Sequence, residues 1–225
     1  MKGLYRRLIG VLAGSFLLTG CEPAPVPKPQ TVWPEGTALV VGDVPILRSE
    51  IEATADSLAL VNPVHTRPAL RREALLAQLL PRAAVHLEAG TRTEEVRQEA
   101  LDALAILKGE AEGTAPEVFV TSGYPTAIGF DRWSAARQLD LNLWSGPFEG
   151  VGNWFLVRVL ERFFEPGEKR SALQKFEIEW VSFDFLPTDW DGGQFEAVLE
   201  RVGVLGLQPE WTELIPYSYR RTEQK

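Results

Sequence analysis

The stretch Ser145–Arg162 reads SGPFEGVGNWFLVRVLER, and its second half has the pattern of a strand. Phe155, Val157 and Val159 alternate with Trp154, Leu156 and Arg158. Successive strand residues point to opposite faces, so the start of this strand is apolar on both sides and needs cover on both. Downstream, Phe176, Ile178 and Trp180 alternate with Glu177 and Glu179, after which Val181, Phe183 and Phe185 carry the apolar side. A bulge or a fully buried strand end explains such a change of phase. Glu117–Val120 reads as a further strand. Asp191 and Gln194 form a capping box ahead of Phe195, Val198, Leu199 and Val202, a helical stripe ended by Gly203.

Upstream the pattern is helical. Ala38–Val41 is a short strand followed by a Gly42-Asp43 turn, and Ser49 with Glu52 makes a capping box for a helix carrying Ile51, Ala55 and Leu58. A second helix starts near Thr66, with Pro68 in its first turn and Leu70, Leu75, Leu76, Leu79 and Leu80 on its apolar face. Pro81 falls inside that pattern and predicts a kink or a division. Gly90 stops the helix, and Thr93 caps a third one running to about Lys108. Trp33 is the only aromatic residue between Cys21 and Ala115, whereas 19 lie between Pro116 and Lys225. The expected class is therefore α+β: a helical N-terminal unit, then a small antiparallel sheet with helices. The expected boundaries are 38–108 for the helical unit, 109–116 (GEAEGTAP) for a hinge, 117–218 for the strand-rich unit and 219–225 for a frayed tail.

Residues 1–20 read as a secretion signal, because Lys2, Arg6 and Arg7 precede an apolar run, Leu8–Leu18, too short to span a bilayer. Leu18-Thr19-Gly20-Cys21 resembles the lipobox of bacterial lipoproteins. That resemblance implies cleavage before Cys21, acylation of its thiol and new amino terminus, and, with Glu22 following, sorting to the outer membrane facing the periplasm. Residues 21–37 begin CEPAPVPKPQ, a proline-rich tether that stays extended. Cys21 is the only cysteine, which excludes an intramolecular disulfide or a cysteine metal cluster. After cleavage 20 Lys and Arg face 31 Asp and Glu, a net charge of −11 that argues against a nucleic-acid partner.

ALVVGDVPILRSEIEA with the leucine-rich segment after it, about 70 residues, resembles the N-terminal helical region of the SurA- and PrsA-like parvulin chaperones. Ser145–Arg162 resembles the closing strand of a parvulin domain. The resemblance implies a shortened parvulin-like unit, with Phe176–Pro187 as an alternative opening strand of a second such unit. It also implies an extracytoplasmic chaperone-like factor related to peptidyl-prolyl isomerases that binds unfolded or exported polypeptides. The family's histidines are not matched: Phe155 stands where the closing strand carries one, and His65 and His86 both lie in the helical half. About 46 residues separate Pro116 from Arg162, fewer than a complete parvulin domain needs. Weak or absent isomerase activity is the consequence. The alternatives are a non-catalytic scaffold or accessory subunit of a cell-envelope assembly, and an active isomerase.

The aromatic residues Trp133, Trp144, Trp154, Phe155 and Trp180 are candidates for polypeptide binding, against the plain reading of core packing. No catalytic residue, metal site or cofactor is expected. Asp184, Asp189 and Asp191 lack the ligand spacing of an EF-hand loop. His86 reads as a helix-end residue suited to the dipole, and His65 as a loop residue.

Overall fold

The computed structural model describes residues 32–163, 174–186, 190 and 192–221. Cys21 with its signal and most of the tether lies outside these residues, as do Asp189 and Asp191.

β1 (Thr37–Val41) and β2 (Val44–Leu47) form a hairpin through Gly42, whose φ of 61° favours glycine. A β-carbon there would also sit 3.1 Å from the Leu87 methyls. α1 (Arg48–Val61) starts one residue earlier than its expected cap: the Leu47 N–H donates to Glu50 Oε2 at 2.7 Å. Glu52 is occupied elsewhere, in ion pairs with Arg67 and Arg71 of α2 (Arg67–Ala74), which tie the two helices together. Burial disfavours the Glu52 carboxylate, but its bonds from Arg71 and Arg67 outweigh that and hold its pKa below the usual value. The division expected at Pro81 is a π-helical turn, Leu75–Leu79, placed just ahead of α3 (Leu80–Ala89). Proline has no N–H and its ring crowds the preceding turn, so widening the helix there accommodates it. α3 ends at Gly90, and α4 (Arg92–Leu107) follows.

The chain then crosses an exposed connection, 109–115, into a second set of elements. These are β3 (Phe119–Gly123), α5 (Pro125–Ile128), α6 (Phe130–Ala136), β4 (Ser145–Glu149), β5 (Asn153–Phe163) and β6 (Lys175–Asp184). Their strands make an antiparallel sheet in the order β3-β6-β5-β4. β6 thus lies between β3 and β5 of one sheet. The chain returns through α7 (Gly192–Val202), β7 (Val204–Gly206) and α8 (Pro209–Thr212), and β7 pairs antiparallel with β1 to give a second sheet, β2-β1-β7.

The double-sided apolar pattern of β5 is explained by two helical layers. Phe155, Val157 and Val159 pack with Ile128, Trp133 and Ala136 of α5 and α6, while Leu156 packs on the other face with Ala103 and Leu104 of α4. The phase change in β6 has the same cause. Phe176 and Ile178 face α5 and α6, Val181 faces α4, and the strand itself runs without a bulge. The irregularity lies in β5, between Val159 and Glu161. A separate core gathers the second sheet against α3 and α7, with Trp211 and Ile215 at its C-terminal side.

Trp33–Lys225 is one compact unit, so the segment 109–116 connects layers of that unit. The Tyr219–Arg221 portion of the expected tail is held in place, because the Arg221 N–H donates to Val204 O at 3.0 Å. Among the described residues no helix is long and apolar enough to cross a membrane.

Candidate functional site

A cleft of about 260 Å³ opens between α1, α6 and the β4–β5 hairpin. Ala53, Thr54 and Ser57 of α1 form one wall, and Phe130, Asp131 and Ser134 of α6 the other. Phe148 and Phe155 supply an aromatic floor, with ring centroids 5.7 Å apart. They meet because they are cross-strand partners in the β4–β5 ladder. Ser57 Oγ and Ser134 Oγ, 3.0 Å apart, hold the two walls together at one point.

Charge enters at the end where β4 meets α3. His86 Nε2–H donates to Glu149 Oε1, and Arg82 Nε lies 3.9 Å from the same oxygen. The His86 ring meets Phe185 edge-on, with centroids 6.1 Å apart. Arg82 and Glu149 also line a smaller cavity of about 130 Å³ beside Val44, Pro45 and Glu50. They therefore stand as a partition between two hollows.

Asp131 differs from Glu149. Among the described residues, no side chain or backbone N–H donates a hydrogen bond to its carboxylate. Burial pushes its pKa above the ordinary aspartate value; the charges of Arg82 and Arg132 pull the other way, and that of Glu149 adds to the rise. Arg132 is turned away toward the sheet. Its Nε–H donates to Ile128 O at 2.6 Å and its guanidinium lies 4.0 Å over the Trp180 ring. Gly129 between α5 and α6 permits this path, since a β-carbon there would come within 2.9 Å of Arg132 Nη2 and its φ is 85°.

No protein-family model, curated protein or solved structure matches this chain.

The aromatic residues singled out in the sequence divide by burial. Trp133, Trp144 and Trp154 are 0%, 7% and 9% exposed and offer no surface to a ligand. Two of them are anchored by their indole N–H: Trp133 Nε1–H donates to Gln174 O at 2.7 Å and Trp154 Nε1–H to Thr93 O at 2.9 Å. Trp180 is half-buried, stacked 5.1 Å from Phe119 and covered by Arg132. Phe155 alone lines the cleft, and from its base, being 2% exposed. The structure therefore does not bring the five together into one surface.

The polar cleft residues went unread in the sequence. Glu149 sits inside the quoted closing-strand segment, but nothing there marks it as the partner of a histidine 63 residues away. His86 is in the last turn of α3, as read, and its imidazole is committed to Glu149. Among the described residues no group of three His, Cys, Asp or Glu side chains is placed to hold a metal ion.

Proposed function

We propose that the protein is a polypeptide-binding factor of the cell envelope, tethered through lipid on Cys21 and chaperone-like in action. The cleft carries this reading. It joins half-buried aromatic rings to polar groups (Gln138, Thr54, Asp131) whose side chains have no hydrogen-bond partner among the described residues, the mixture that takes apolar side chains and main-chain amides together. The resemblance to parvulin-type chaperones supports the same reading, as does the lipobox-like sequence before Cys21. Prolyl isomerisation needs an apolar slot and favoured twisting of the amide. Phe155 at the base of the cleft leaves such a slot without the polar group the family places there, so isomerase activity is weak or absent.

A photo-crosslinking residue at Gln138, compared with one at Glu99 on the far side of α4, tests the reading in cells. Capture of many exported polypeptides from Gln138 alone is the expected result. A single stoichiometric partner would favour the accessory-subunit alternative, and no capture from either position removes both. The tether is checked separately: labelled palmitate should enter the wild-type chain, and Cys21→Ala should abolish incorporation and release the protein from membranes.

A further inference from the structure

The fold repeatedly builds one three-part arrangement: an aromatic ring, a cation against its face, and a carboxylate on the cation. Arg158 lies 5.2 Å from the Trp144 ring centroid and its Nε–H donates to Glu179 at 2.6 Å. Arg71 lies 5.3 Å from Trp211 and pairs with Glu52 at 2.5 Å. The cleft holds two of the three parts. Phe130 and Phe148 present half-buried rings, and Asp131 lies beside them without a hydrogen-bond donor. Asp131 is half-buried on the cleft wall, so its carboxylate stays open to the cleft and is a position for a ligand's donor.

We propose that the cleft holds a lysine or arginine side chain of the bound polypeptide, its charged end on Asp131 and its stem across Phe130 and Phe148. This assignment rests on the polypeptide-binding reading and names what that site selects. A cation answers the geometry better than an anion does. Glu149 is already engaged by His86 and Arg82, so an incoming anion would meet two carboxylates before reaching the one arginine that faces the cleft. A cation gains from the rings as well as from the charge, since ammonium and guanidinium groups are attracted to aromatic faces and more so where water is excluded. Burial opposes ionisation of Asp131, and a cation brought against it relieves that opposition. The chain's net charge, −8 over the full sequence and −11 once residues 1–20 are removed, favours the approach of basic segments.

The test uses the full lipidated chain in zwitterionic nanodiscs and fluorescent extended peptides. One peptide alternates phenylalanine with lysine; its counterpart replaces each lysine by norleucine, which keeps the stem and removes the charge. The lysine peptide is expected to bind at least tenfold more tightly, and Asp131→Asn should bring the two peptides to within twofold of each other. Equal binding of both peptides by wild type would overturn the cation assignment while leaving polypeptide binding intact. A preference that survives in Asp131→Asn would overturn the assignment of Asp131. Binding of neither peptide would remove the polypeptide reading together with this one.

Discussion

Asp131 carries a physical conflict: its carboxylate is half-buried and partly desolvated, and it receives no hydrogen bond among the described residues. Because its pKa is raised in the folded protein, the folded state binds a proton at a higher pH than the unfolded chain. Stability therefore falls as pH rises from the ordinary aspartate pKa through the folded one, and the deficit is complete above it. Asp131→Asn removes the charge and keeps the shape. It should stabilise the unliganded protein at pH 7 by ~1 kcal/mol, about 2–4 °C in Tm for a domain of this size, with the gain vanishing at acid pH. Thermal melts of both proteins between pH 4 and 8 check this; a constant difference across the range would refute it. Phe155 makes a second case. Restoring the family's histidine by Phe155→His places a polar ring between Phe148 and the α6 core, and should cost ~2–4 kcal/mol in urea melts without raising prolyl isomerisation above background. Phe155's burial is legible from the alternation around it, whereas the situation of Asp131 is not legible from its neighbours in sequence. Aspartate in a helix's first turn usually reads as a favourable end charge. Asp131 is flanked by α1 and β4, elements that end 70 residues upstream and begin 14 residues downstream of it.

The strands show which local signals carry through and which do not. β5 declared its double-sided burial, because alternation with apolar residues in both phases has one physical meaning. β6 was legible to the level of two alternatives, and its pairing with β3 and β5 selects burial on both faces at different points along the strand. The breaks at Pro81 and Gly90 were equally plain, since a missing N–H and a positive φ are properties of the residue itself. β7 was not legible. Three residues, Val204–Gly206, have too short a run for any period, and their role comes from lying against Leu39–Val41 across the chain. That pairing makes the C-terminal segment part of the first sheet's core, where Trp211 is 2% exposed. Trp211→Ala should therefore destabilise by ~3–5 kcal/mol, and its near-ultraviolet circular dichroism loss should coincide with the loss of far-ultraviolet signal on heating. An effect under 1 kcal/mol would show that α8 is peripheral.

At the scale of the whole molecule, the change in aromatic content near residue 115 suggested two bodies joined by a hinge, and the topology weaves them together. α4, from the helical half, covers one face of the four-stranded sheet through Ala103, Leu104 and Val96, while the returning chain lays α7 against α3 and β7 against β1. Composition records which residues a segment contains, and it carries no information on which distant segment will cover them. The interlocking has a consequence for unfolding: neither half can lose its structure without uncovering apolar surface on the other. Urea denaturation should therefore be a single transition, with tryptophan fluorescence, which reports mostly the sheet, and circular dichroism at 222 nm, which reports mostly the helices, giving the same midpoint. A helix-side destabilisation, Leu104→Ala, should shift both probes together by the same amount, equivalent to ~2–4 kcal/mol. Two separated midpoints, or a shift in the helical signal alone, would mean that the halves are independent bodies. The cleft depends on this outcome, because its walls come from both halves: Thr54 and Arg82 from one, Asp131 and Phe148 from the other. A molecule that unfolds as one unit keeps those walls at a fixed separation, and a site that reads an aromatic floor and a single carboxylate together needs that separation held.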